Sequence, residues 1–337
     1  MMIQGFGWRE GLEYPACPTK PEGMKTSVIQ RADEEFPFLH DTMIVPLLGK
    51  LFMAWYNCSE AEIVGKTVIR GRWSQDGGES WSDAEVVAED TSGTGLHYVP
   101  VTFQEYEGRA WAYVTVMKAH DRPVGYVCRV YEDGRWIDAQ EREEPILFNT
   151  LPLETAGGHL IAAGRAAPKR GELPLIPSVM LAEQGAPAEW RVHGLPGPWN
   201  LREYPFPYPE TALIVGSEGV TAVVRGEERA VAFSSMDQGE SWSGPMEVGF
   251  PTAGSKMYGG VLSNGKEYFI YNQRNDRNDR RKLVMAVRLP GEIGFSRLYL
   301  LREGYDSTLD AGPYWHYPCA CEQGGILYVS CTVSAEE

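Results

Sequence analysis

Short apolar runs broken by glycine recur along the chain, and one unit repeats: an apolar strand, a Gly turn, then a second apolar or aromatic strand. It is read at Thr42–Leu48, Gly49 and Leu51–Tyr56; at Val99–Phe103, Gly108 and Ala110–Val116; and at Leu151–Thr155, Gly158 and Leu160–Ala163. It returns at Thr211–Val215, Gly219 and Val220–Val224; at Gly259–Leu262, Gly265 and Glu267–Tyr271; and at Pro318–Cys321, Gly325 and Ile326–Val329. Copies spaced by roughly 40 to 60 residues match the length of a four-stranded propeller blade. The pattern therefore predicts an all-β, six-bladed β-propeller.

Outer strands are expected behind several copies, as at Thr67–Trp73 and Ala230–Ser234. The last copy stops short of a full blade. Its missing strands are expected from Lys25–Arg31, which would pair the two ends of the chain and remove exposed edges. Composition agrees: 37 Gly and 23 Pro call for many turns, and 43% hydrophobic residues suffice for a large core. No linker or low-complexity stretch divides the chain, so residues 1–337 are expected to form a single domain.

One turn motif occurs twice, as Ser74-Gln-Asp-Gly-Gly-Glu-Ser-Trp81 and Ser235-Met-Asp-Gln-Gly-Glu-Ser-Trp242. The Asp can accept N–H bonds across its own turn, Gly78 and Gly239 relax the backbone, and the Trp returns into the blade as an apolar anchor. Asp76 and Asp237 are thus consumed by the turn. The motif resembles the Asp box of the sialidase superfamily, whose BNR repeats build propellers, and it marks the face opposite the glycan site of that family.

The repeat locates the channel mouth without an alignment. Nine residues before each turn Gly stand His40, Val99, Asn149, Glu210, Lys256 and His316, with His97-Tyr98 beside the second. Packing alone would favour small apolar residues there. Three of the six histidines fall on this ring, and together they predict a polar site.

Retaining sialidases use a Tyr nucleophile, a Glu that takes its proton and an Asp acid/base. The resemblance implies Tyr317 as nucleophile or acid/base and Glu210 as its proton partner, with His40, Asp41, His97 and His316 around the scissile bond. Arg225 matches one member of the family's arginine clamp. His40-Asp41 and Lys256-Met257-Tyr258 stand where the other two would be. Glu62 is the nearest candidate for the acid/base, while Asn149, Arg165, Lys256, Tyr258 and Asn272 are expected to line the pocket.

Three functions follow. The first is a carbohydrate-active enzyme, an exo-acting glycoside hydrolase removing a terminal acidic sugar. The second is a polysaccharide lyase acting on a uronate linkage, such as rhamnose–glucuronate, with His or Tyr as base and Arg225 or Lys256 neutralising the carboxylate. The third is a non-catalytic glycan-binding propeller in which Trp315, Tyr258 and Tyr98 stack on sugar rings.

A formal net charge of -15 disfavours nucleic acid and anionic membranes, with Arg274–Lys282 as the one basic stretch. No apolar run reaches membrane-spanning length and the N-terminus has no signal-peptide pattern, so a cytoplasmic protein is expected, or a secreted one if a leader has been removed. The six cysteines form no disulfide framework and lack zinc spacing, which predicts reduced thiols. No cofactor or metal is expected, although His40, His97 and His316 would be the zinc ligands if there were one. Nothing in the chain specifies an oligomeric state.

Overall fold

The computed structural model describes residues 6–197 and 208–335, and these contain strands but no helix. Blade one is Phe38–Leu47, Lys50–Cys58, Thr67–Ser74 and Glu85–Glu89. Blade two is His97–Tyr106, Arg109–Met117, Pro123–Glu132 and Arg135–Arg142. In blade three the inner edge is split into Ile146–Phe148 and Leu153–Glu154, followed by Leu160–Ala166, Ile176–Ala182 and Arg191–Gly194. Blade four is Thr211–Val215, Val220–Val224, Val231–Ser235 and Ser243–Glu247; blade five is Tyr258–Val261, Glu267–Asn272, Lys282–Arg288 and Arg297–Glu303. Tyr314–Gln323 and Ile326–Ser334 form a two-stranded sixth sheet.

Every hairpin read from the sequence is present as an antiparallel pair. In blade one Leu47 pairs with Lys50, so Leu48-Gly49 is a two-residue loop with φ of 52° and 74°. Both central residues lie in the left-handed region, the turn whose twist suits a hairpin. Aromatic residues fill the spaces between sheets. Phe52 and Phe103 meet edge to face at 5.3 Å between blades one and two, and Tyr113 and Trp190 do so at 5.8 Å between blades two and three.

Two expectations need correction. The structure has five blades and a two-stranded sheet rather than six blades, and Lys25–Arg31 forms no strand. Met24 and Ile29 are partly buried against the core, but the segment pairs with no strand of the sixth sheet. The segment is tied down by side chains instead. Arg31 donates to the Leu309 and Asp310 carbonyls, and Lys25 pairs with Glu79. The inner strand of the sixth sheet packs against that of blade one without pairing to it.

This topology fixes the two faces. First strands start, second strands end and third strands start on one face. The connections from third to fourth strands lie on the other, and both Asp-Gly turns are of that kind.

Candidate active site

The site is built at the starts of the inner strands. The first strand of blade one and that of the sixth sheet share an irregularity, a register shift between His40 and Met43 in one and between His316 and Cys319 in the other. Each bulge carries a non-glycine residue at positive φ, Asp41 at 49° and Tyr317 at 55°. A tyrosine in that region is a backbone outlier, and strain of order 1–3 kcal/mol persists only where surroundings enforce it. Bulges re-aim side chains. Here they bring His40 and Tyr317 together with ring centroids 4.1 Å apart.

Tyr317 Oη donates to Glu210 Oε1 at 2.8 Å. Arg225 Nη1 lies 2.7 Å from Glu210 Oε2 and 3.1 Å from Tyr317 Oη, so one guanidinium holds both groups. Arg165 Nη2 approaches Glu210 Oε1 at 3.7 Å, and its Nη1 reaches Asp121 Oδ1 at 3.2 Å. Lys256 Nζ is bonded to Asp41 and stands 5.8 Å from the Tyr317 ring centre. The Arg280 guanidinium is 5.6 Å from the same ring. Four cations therefore surround one tyrosine.

Their charges decide the protonation states. Burial opposes ionisation of Glu210, yet Arg225, Arg165 and the Tyr317 hydroxyl hold it below the usual carboxylate range. Burial and then the Glu210 carboxylate push the Tyr317 phenol above its ordinary value, while Arg225, Arg280 and Arg165 pull it down. The resting pair is a phenol giving its proton to a carboxylate. Asp41 is raised by burial against the opposing pull of Lys256. His40 is held well below 6.5 by burial, by interaction with the neighbouring His316 ring and by the charges of Arg280, Lys256 and Arg225, and His316 falls to about 3 through burial, Arg280 and Arg225. Both are neutral rings in the floor of the site. His40 Nδ1 meets Thr332 Oγ1 and His316 Nε2 meets Ser334 Oγ, each at 3.1 Å.

Other expected residues fall into place around this group or away from it. Asn149 is buried and accepts the Thr211 N–H at 3.2 Å, bracing the chain beside Glu210. Asn272 donates to the Trp315 carbonyl at 2.8 Å and the Arg280 carbonyl at 3.1 Å, behind the Tyr317 bulge. Glu62 accepts the Tyr56 hydroxyl at 3.0 Å, and Tyr56 packs on His40 at 5.7 Å. His97 stands at the start of blade two opposite Met117, and among the described residues no contact joins it to Tyr317. Tyr258 is buried beside Cys319, and Trp315 is buried with its indole N–H on the Gly304 carbonyl, so neither presents a face for a sugar. The described residues include no group of three or more His, Cys, Asp or Glu arranged to hold a metal ion.

Three residues of the site were missed from the sequence: His120, Asp121 and Arg280. Each lies in a connection from a second to a third strand, or at its edge. In blade two that connection is a tight turn closed by Lys118 N–H to Arg122 O and by Arg122 N–H to Ala119 O, with Asp121 at φ 55°. His120 Nδ1 is 3.3 Å from Asp121 Oδ2, and its Nε2 is 3.8 Å from Glu62 Oε1. The usable signal was the end of each second strand, which the repeat had already located.

A cavity of about 150 Å³ opens beside Arg225, lined by Tyr208, Gly226, Glu227, Gly254 and Asn278. The Tyr208 ring lies 5.3 Å from the Arg225 guanidinium.

A family profile described as a BNR repeat-like domain matches residues 49–329. No curated protein matches the chain. Among solved structures, a protein of unknown function from Dyadobacter fermentans superposes with a TM-score of 0.67 at 12% identity, covering 91% of this chain and 94% of that one. A leech intramolecular trans-sialidase gives 0.67 at 11% identity, with coverages of 92% and 67%. A Trypanosoma rangeli sialidase gives 0.69 at 11% identity, with coverages of 95% and 58%. At such identities the likeness is one of fold.

Proposed function

The chain belongs to the BNR repeat-like domain family, and from that premise we propose that it is a sialidase-like glycoside hydrolase removing a terminal acidic sugar from a glycan. The observation that carries this reading is the 2.8 Å bond from Tyr317 to Glu210 inside a cage of Arg225, Arg165, Arg280 and Lys256. A neutral phenol avoids the repulsion that a carboxylate nucleophile meets from an anionic sugar. Glu210 is placed to take its proton as the Tyr317 oxygen attacks the anomeric carbon. The guanidinium groups supply planar paired donors for a carboxylate, which lysine and histidine do not.

The cage departs from a simple three-arginine clamp. A buried Asp41–Lys256 pair occupies the part of the site next to His40. An acceptor and a donor fixed together suit a sugar hydroxyl better than a second carboxylate. The substrate is accordingly an acidic sugar with one anionic group at the arginines and a hydroxyl over Asp41 and Lys256.

The test is product analysis after incubation with sialosides, glucuronides and rhamnose–glucuronate glycans. A released acidic monosaccharide is expected, lost in Tyr317→Phe. An unsaturated uronate absorbing in the ultraviolet would make the protein a lyase, and tight glycan binding without product would make it a lectin-like module.

A further inference from the structure

Four histidines stand on or near the site face, and three of them have their proton taken away by burial. His40, His97 and His316 all fall below the ordinary imidazole value, burial being the first cause in each. His120 differs in place and in partners. Its side chain is 43% exposed, it sits between the carboxylates of Glu62 and Asp121, and it faces the Tyr208 ring at 6.1 Å. A continuous path joins it to the nucleophile candidate, from His120 to Asp121, Arg165, Glu210 and Tyr317. A second path returns on the other side, from Glu62 through Tyr56 and His40 to Tyr317. The two paths close a loop in which His120 and Glu62 are both solvent-facing.

We propose that His120 is the acid/base of this site, the imidazolium that protonates the leaving glycosidic oxygen and then takes a proton from the attacking water. The inference rests on the hydrolase reading. In the first step the glycosidic C–O bond breaks, a bond from Tyr317 Oη to the anomeric carbon forms, the Tyr317 proton passes to Glu210 and the His120 proton passes to the leaving oxygen. In the second step water attacks the anomeric carbon and gives its proton to His120, while Glu210 returns its proton to Tyr317 Oη. Charges and protons balance in both steps.

The neighbouring carboxyls are held by closer partners than is His120, whose nitrogens stand 3.3 and 3.8 Å from Asp121 and Glu62. Glu62 accepts the Tyr56 hydroxyl, Asp121 is ion-paired with Arg165, and Asp41 is bonded to buried Lys256. Burial opposes the charge on Glu62 and on Asp121. Their partners nevertheless keep both below the ordinary range, His120 first for Glu62 and Arg165 first for Asp121. His120 is raised to about 10 by its two carboxylate neighbours, Asp121 first and then Glu62, so it holds a proton at neutral pH.

Leaving-group dependence tests the assignment. His120→Gln is expected to cut kcat by about 10²–10³-fold on an unactivated alkyl or sugar glycoside. On a nitrophenyl glycoside of the same sugar, whose leaving group needs no proton, the loss in the glycosylation step should be small. Added azide should restore turnover in the second step. Histidine-ring NMR gives a readout apart from activity: the His120 ring should stay charged to about pH 10 and lose its proton earlier in Glu62→Gln. Equal losses on both substrates without azide rescue, or full activity on both, would overturn the assignment while leaving the hydrolase reading intact. A wild-type protein that cleaves neither substrate would remove the hydrolase reading and this assignment with it.

Discussion

The two faces of the propeller use carboxylates in opposite ways. On one face Asp76 and Asp237 are exposed and satisfied by their own turns. Asp76 accepts Ser74 Oγ at 2.9 Å and the Ser80 N–H at 2.9 Å, and Asp237 accepts Ser235 Oγ at 2.8 Å and the Ser241 N–H at 2.9 Å. In each, the Gly N–H closes on the Ser hydroxyl and the Trp N–H on the Gly carbonyl. The Ser80 and Ser241 hydroxyls first, then the N–H groups of the same residues and the Ser74 and Ser235 hydroxyls, hold both carboxyls at about 2. On the other face Asp41 and Glu210 are buried, and their partners are remote: Lys256 is 215 positions from Asp41, and Tyr317 is 107 from Glu210. A local carboxylate is finished when its hairpin forms. A site carboxylate is finished only when the sheets have assembled into the ring.

The largest expected effect separates the faces by activity. Tyr317→Phe and Glu210→Gln should each lower kcat/KM on a cleaved acidic glycoside by about 10³-fold or more, while Asp76→Ala and Asp237→Ala should leave it within about twofold of the parent protein. A large activity loss in the turn variants would break the comparison.

Stability gives the next. Asp41→Ala strands Lys256 as an unpaired buried charge, at a cost of about 3–5 kcal/mol by urea denaturation. The double change Asp41→Leu with Lys256→Met removes both charges, and much of that loss should return.

The faces should also separate along the pH axis. A histidine kept neutral by folding takes up its proton only when the chain unfolds. The stability from His316 is therefore full above 6.5 and is lost as pH falls toward about 3. The turn carboxylates contribute fully above 3.8 and lose it as pH falls toward about 2. Thermal melts should decline first below pH 6.5, and His316→Asn should weaken that limb, to which His40 also contributes, while leaving the drop below pH 4.

Coupling gives the smallest signal. The turn motifs sit in blades one and four and share no partner, so their losses should add. Tyr317→Phe and Arg225→Lys touch the same hydroxyl and carboxylate, and their effects on stability should fall short of or exceed the sum.

Much of this was legible in the residues. The strand pairs, their turns, the two Asp-Gly motifs and the register placing His40, Asn149, Glu210, Lys256 and His316-Tyr317 at the inner-strand starts all depend on short-range pattern. Local hydrogen bonds and a period of two leave their mark within a few positions. Other features left none. The sixth sheet stays at two strands, with Lys25–Arg31 held by side-chain contacts rather than backbone pairing, and His120, Asp121 and Arg280 reach the site from connections outside the repeat register. Tyr258 and Trp315 look like sugar platforms in the sequence and are core residues in the fold. Sequence determined which residues start each inner strand, since that is a matter of local periodicity. Only the tertiary structure decided which charges face each other and which histidine keeps its proton, because those depend on burial and on partners brought together as the sheets pack.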